Sequence, residues 1–183
     1  MITKLITLII LIGIAPIIAM VSIVIIIDDG LPIFFRQKRV GKNNSLFDIY
    51  KFRTMKKDTP DLATHLIDKS ASLYTSSGPF LRKYSIDEIP QLFNVLKADM
   101  GFIGPRPALY NQENLIKLRT QVGVHSLIPG ITGWAQVNGR DEIGINKKVE
   151  MDLYYKENRS VFLDIQILIL TIKKVFKSEG VSV

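Results

Sequence analysis

The chain has 183 residues, 24 Lys and Arg against 17 Asp and Glu, a formal charge of +7, two His and no Cys. That length suits one domain plus an apolar segment, and the lack of cysteine excludes disulfides and thiolate chemistry. His65 and His125 are too few and too far apart to suggest a zinc site, and no P-loop or GxGxxG motif indicates nucleotide binding by those devices.

The run from Leu5 to Ile27, LITLIILIGIAPIIAMVSIVIII, carries no charge. As a helix rising ~1.5 Å per residue it would be about 34 Å long, enough to cross the hydrocarbon core of a bilayer. It is longer than a typical signal core, and Asp28-Asp29-Gly30 follows it without a small-x-small cleavage site. A retained anchor over 1–29 and a membrane-associated polar domain over 30–183 are therefore expected. A basic chain beside an anchor points to membrane lipids or a phosphorylated substrate, and not to nucleic acid. Lys4 precedes the run; Arg36, Lys38, Arg39 and Lys42 follow it. A plain spanning helix would place the richer side in the cytoplasm. Pro16 opens a second geometry, because a proline removes a helical hydrogen bond and can bend the chain back to the face it entered.

After the turn at residues 28–32, Ile33–Gln37 and Leu46–Arg53 read as strands of a small β-hairpin. Val40-Gly41-Lys42-Asn43-Asn44 is its turn, with Gly and Asn suited to positive φ. Residues 56–78 are loop-like, with a short helix expected near Leu62–Leu66. Ile86–Leu96 has helical spacing in Ile89, Leu92, Phe93 and Leu96. Gly101–Pro107 reads as a rigid loop, Asn111–Val122 as an amphipathic helix, and Pro129–Arg140 as turn-rich. Ile145–Asn158 and Val161–Lys177 read as helices. In the last, Phe162, Ile165, Ile169 and Ile172 mark a face that could lie on a membrane or pack in the core. The fold class expected is α+β: an N-terminal membrane helix, a β-hairpin, and several amphipathic helices around a compact domain.

Asp87-Glu88 opens the Ile86–Leu96 helix. Ser85-x-x-Glu88 fits a capping box, and Asp87 could itself be the N-cap. The same placement suits chemistry, since an ionised Asp can attack phosphorus and a neighbouring carboxylate can hold Mg²⁺. Gly104-Pro105-Arg106-Pro107 presents a guanidinium from a stiffened loop, either as a phosphate clamp or as a surface arginine in a turn. Lys51 and Arg53 stand two apart on a strand and share a face. Arg140 lies in a turn, and Asp152 and Asp164 lie on predicted helices.

Three blocks together resemble the bacterial sugar transferase family, the monotopic phosphoglycosyl transferases. They are FFRQKRVGKNNSLFDIYKFRTM (Phe34–Met55), LRKYSIDEIPQLFNVLKADMGFIGPRP (Leu81–Pro107) and PGITGWAQVNGRDEI (Pro129–Ile143). The resemblance implies transfer of a phosphosugar from a UDP-sugar to undecaprenyl phosphate, releasing UMP, as the first membrane step of bacterial glycan assembly. It implies ping-pong kinetics with Asp87 as the nucleophile, Glu88 as the Mg²⁺ partner and Arg106 as a phosphate-binding group. Lys51, Arg53, Arg140, Asp152 and Asp164 match functionally required or site-lining positions. It also implies a re-entrant helix broken near a Ser-Pro pair, with both ends on the cytoplasmic face of the bacterial inner membrane. Here the pair is Ala15-Pro16, and the basic-aromatic-Asp start usual in the family is missing. The stretch Asp61–His65 resembles members that use N-acetylated, often amino-modified deoxy sugars. Two other readings stand beside this one: an anchored, non-catalytic module that binds anionic ligands, and an anchored phosphodiesterase that passes the phosphosugar to water.

Overall fold

The computed structural model describes residues 2–57, 59, 73–139 and 143–177. The helix expected near Leu62–Leu66, the Asp61–His65 stretch and Arg140 lie outside them.

The apolar segment forms one helix, α1 (Ile2–Asp29), which is long and apolar enough to cross a membrane and carries Pro16 inside it. The break expected at Pro16 is not an interruption of the helix. Its buried positions are Thr7, Leu11, Val21 and Ile25, with Ile14 and Ile18 half-buried between them. These fall four and three residues apart, so they form one seam along the helix. The remaining faces are exposed and apolar, as at Ile9, Ile12, Met20 and Ile27. Both ends meet the polar domain. Thr3 and Lys4 line a cavity with Val95, Met100, Tyr155 and Arg159. At the other end, the Asp28 carboxylate accepts from the Ser76 and Ser77 amides and the Ser77 hydroxyl.

The predicted hairpin is present as β1 (Phe34–Val40) and β2 (Leu46–Phe52), antiparallel, with Arg36 opposite Tyr50 and Phe35 opposite Lys51. Its turn uses Asn43 and Asn44 at positive φ (54° and 60°); Gly41 stays at φ −100°. Phe52 and Leu81 pack with Val21 and Ile25 of α1, and Phe34 stacks on Phe52 at 5.5 Å. The helix α2 (Gly78–Lys83) follows.

The predicted Ile86–Leu96 helix is divided. Residues Ile86–Glu88 form a 3₁₀ turn, and α3 (Gln91–Lys97) begins only after Pro90. The cause is Pro90, which has no N–H to return to the carbonyl of Ile86. The chain runs instead on three-residue bonds, from the amides of Glu88, Ile89 and Leu92 to the carbonyls of Ser85, Ile86 and Ile89. The capping box is not made either: Ser85 is left-handed (φ 54°) and its hydroxyl caps nothing.

Within the loop expected at Gly101–Pro107, β3 (Gly101–Ile103) pairs in parallel with β4 (Gly130–Thr132). A Cβ on Gly104 or Gly130 would strike the other's backbone, so the two loops can meet only as glycines. Between them lie α4 (Glu113–Gln121), then beyond β4 come α5 (Trp134–Val137), α6 (Ile145–Asn158) and α7 (Val161–Lys177). The last helix has two apolar faces. Leu163 and Ile167 are buried with Val137 and Tyr155. Phe162, Ile165, Ile169, Ile172 and Phe176 are exposed.

Candidate active site

Four predicted residues converge from three separate segments. The 3₁₀ turn before α3 turns Asp87 inward, leaving it 6 % exposed. Lys51, on β2, donates to Glu88 Oε1 at 2.8 Å and stands 4.0 Å from Asp87 Oδ2. Arg106 donates to the same Glu88 oxygen at 2.9 Å.

Each group is held in place by backbone or buried polar contacts. Asn94 is fully buried on α3; its Oδ1 accepts from the Tyr50 amide and its Nδ2 donates to the Asp48 carbonyl. That clamp fixes the strand next to Lys51 against the helix that follows the dyad. The GPRP loop is stitched on both sides: the amides of Gly104 and Gly130 bond the carbonyls of Thr132 and Pro105, and the Val40 amide bonds the Ala108 carbonyl. Arg119 completes the support. It donates to the Arg106 carbonyl at 2.8 Å and pairs with buried Asp152 at 2.6 Å and 2.9 Å.

Burial pushes the Asp87 carboxyl above its ordinary range, and adjacent Glu88 adds to this; Lys51 opposes it. Burial likewise pulls Lys51 below the ordinary lysine range, against the attraction of Glu88 and Asp87. Two cations thus stand at close range to the dyad, Lys51 against both carboxylates and Arg106 against Glu88.

A cavity of about 720 Å³ opens beside Asp87. Arg36, Arg39, Lys51, Arg53, Lys56, Lys57 and Arg82 line it, and Asp87 is the lone acid among the described residues that line it. A space of this charge suits a polyanionic ligand such as a nucleoside diphosphate.

The structure places the other predicted residues differently. The Arg53 guanidinium bonds Asp29 and the carbonyls of Gly30 and Pro32, so it fastens the end of α1 while also lining the cavity. Asp152 acts on the loop through Arg119. Burial raises its carboxyl, against the pull of Arg119. Asp164 accepts from the Tyr155 hydroxyl at 2.9 Å, in the packing of α6 on α7; burial, then that bond, pushes Tyr155 up to about 12. Sequence reasoning missed Arg82, which bonds Thr54 Oγ1 and Tyr74 and favours the ionised form of Asp87. It also missed Asn94 and Arg119, whose roles depend on contacts 13 to 46 residues distant in sequence.

For a metal, the described residues hold no group of three or more His, Cys, Asp or Glu that could bind one. Two adjacent carboxylates, Asp87 and Glu88, are nevertheless a donor set that fits Mg²⁺, which takes one or two carboxylates and completes its shell with substrate phosphates and water.

The chain matches the family model described as bacterial sugar transferase over residues 1–178. It belongs to the bacterial sugar transferase family. Among curated relatives, the uncharacterized sugar transferase EpsL of Bacillus subtilis (strain 168) is 48 % identical over 152 residues, covering 83 % of this chain and 74 % of the relative. The UDP-glucose:undecaprenyl-phosphate glucose-1-phosphate transferase of Escherichia coli (strain K12) is 37 % identical, covering 93 % of this chain and 38 % of the relative. An Aeromonas hydrophila UDP-N-acetylgalactosamine-undecaprenyl-phosphate N-acetylgalactosaminephosphotransferase is 36 % identical, over 91 % of this chain and 40 % of the relative. The chain thus spans about three quarters of the first and about two fifths of the other two.

Proposed function

We propose that this family member transfers a phosphosugar from a UDP-sugar to undecaprenyl phosphate and releases UMP, as the first membrane step of a bacterial glycan. The observation that carries the reading is the convergence of Lys51, Arg106 and the Asp87–Glu88 pair beside a cation-lined cavity. Relatives named as undecaprenyl-phosphate transferases support the substrates.

In the proposed ping-pong course, an Asp87 oxygen attacks the sugar-bearing phosphorus. The bond to the bridging oxygen breaks, and UMP leaves with its electron pair. A phosphate oxygen of the lipid then attacks the same phosphorus, the bond to Asp87 breaks, and the carboxylate returns. Lys51 and Arg106 stand where charge develops on the phosphoryl oxygens. Glu88 would hold Mg²⁺, which would supply further neutralisation of the phosphate oxygens when bound. The sugar is proposed as N-acetylated, amino-modified deoxy sugars included. The reading is tested by incubating the protein with a panel of UDP-sugars and Mg²⁺ without acceptor. Stoichiometric UMP release and a mass increase equal to one phosphosugar are expected; multiple turnovers into water would favour a phosphodiesterase instead.

The membrane geometry proposed is re-entrant, at the cytoplasmic face of the inner membrane, with Pro16 as the point of bending. Two features support it: the seam from Thr7 to Ile25, and the seating of both ends of α1 on one domain. Because the chain has no native cysteine, Ile2→Cys labelling is unambiguous. Protection from an impermeant maleimide in intact cells, lost on lysis, is expected; labelling in intact cells would refute the geometry.

A further inference from the structure

Asp87 lines the basic cavity, but Glu88 lines a second one, of about 330 Å³ against 720 Å³. Its walls are Glu88, Ile89 and Leu92 on one side and Leu168, Thr171, Lys174 and Val175 of α7 on the other. Phe102 and Ile131 of the parallel strand pair close it, and the Thr132 and Thr171 hydroxyls bond each other at 2.6 Å. Among the described residues that line it, Lys83 and Lys174 are the cations and Glu88 is the lone acid. The two cavities therefore meet the same dyad with different chemistry.

The second cavity is continuous with exposed apolar surface. Leu168 belongs both to its wall and to the exposed apolar stripe of α7 with Ile165, Ile169 and Ile172. Ile89, on the opposite wall, also packs against the cluster containing Val21 and Ile25 of α1. An apolar chain could pass from the bilayer along α7 to Glu88 without crossing the basic cavity. Ser85, Thr132, Gln136 and Thr171 also line it, but most of the surface it presents is apolar, which suits a prenyl chain.

The geometry points to this cavity as the seat of the acceptor's first isoprene units, with Lys83 and Lys174 drawing the lipid phosphate toward the Glu88 edge of the dyad. The inference rests on the transferase reading above and adds to it a separate route for each substrate. The nucleotide sugar reaches Asp87 from the basic side, and the lipid phosphate arrives from the α7 side to take the phosphosugar from Asp87.

The test uses the full chain in phosphatidylcholine nanodiscs and a polyprenyl phosphate carrying a diazirine in its first isoprene units. After photolysis, labelled positions are mapped by mass spectrometry. Labelling within residues 168–175 and at Ile131 is expected, competed by excess undecaprenyl phosphate. Labelling confined to Leu31–Phe35 of the basic cavity, or indifferent to the competitor, would overturn the inference. This readout needs no turnover, so failure of the Asp87 chemistry is seen separately, as an absent UMP burst. A second arm fills the entrance with Leu168→Trp, at a position already 42 % exposed. The KM for the lipid acceptor should rise about tenfold, the worth of a small lost apolar contact, while the KM for the nucleotide sugar stays within about twofold. Equal changes in both, or none, would count against it.

Discussion

Lys51 lies 2.8 Å from Glu88 and 4.0 Å from Asp87, so one buried ammonium faces both carboxylates. Burial raises Asp87 and lowers Lys51. Rate should therefore rise with pH through an acid limb above the ordinary aspartate value of 3.8. It should fall through an alkaline limb below the ordinary lysine value of 10.5. Because Lys51 favours the carboxylate, Lys51→Met should move the acid limb further upward as well as lower the rate. A pH profile of UMP release checks both; an acid limb that stays put or moves down would contradict the assignment.

Asp87→Asn keeps the shape of the side chain and removes the attacking oxyanion. Turnover should fall at least about 10³-fold, in line with the loss of a covalent nucleophile. Intact-mass measurement should show no phosphosugar adduct. Glu88→Gln should slow turnover while leaving some adduct detectable.

Removing one member of the Arg119–Asp152 pair leaves the other charged and buried, a cost of about 3–5 kcal/mol. Asp152→Leu should therefore lower the thermal midpoint sharply. The double variant Arg119→Leu with Asp152→Leu should recover much of that stability. Its activity should stay low, because the Arg106 carbonyl has lost the donor that fixes the loop. Recovery of activity together with stability would show that the pair does not position Arg106.

Asn94→Leu would strand the Tyr50 amide and the Asp48 carbonyl. A loss of about 2–4 kcal/mol is expected for leaving the two unsatisfied. Thermal unfolding in detergent measures it, and hydrogen exchange at Tyr50 should quicken selectively.

What the sequence made legible was local. The hairpin could be read from alternation and its Asn-rich turn, and the bounds expected for Ile145–Asn158 and Val161–Lys177 coincide with α6 and α7. The parallel pairing of Gly101–Ile103 with Gly130–Thr132 was not legible, because three-residue strands carry no periodicity and their partner is distant. The division at Pro90 was missed because Ile89, Leu92, Phe93 and Leu96 keep helical spacing across it. In α7 the predicted face was seen correctly as apolar, but a second apolar row, with Leu163 and Ile167, is the one that packs inward. At the site, Asp87, Glu88, Lys51 and Arg106 stand out in the sequence and take their roles from the resemblance, but their convergence is tertiary. Arg53, Asp152 and Asp164 are charged positions whose partners the sequence does not show: they meet respectively a helix end, an arginine and a tyrosine.

The seam along α1 has a thermodynamic consequence. Val21 and Ile25 cover Phe52 and Leu81, so one side of the apolar helix is interior to the domain while its other sides are exposed and apolar. Entry of the helix into the bilayer and closure of this cluster are then linked equilibria, and the membrane behaves as a stabilising ligand of the folded domain. A chain cut after Asp29 would bare Phe52 and Leu81 rather than yield a freely soluble enzyme. Exchanging the anchor for another apolar helix of equal length would restore attachment without restoring the fold beneath it.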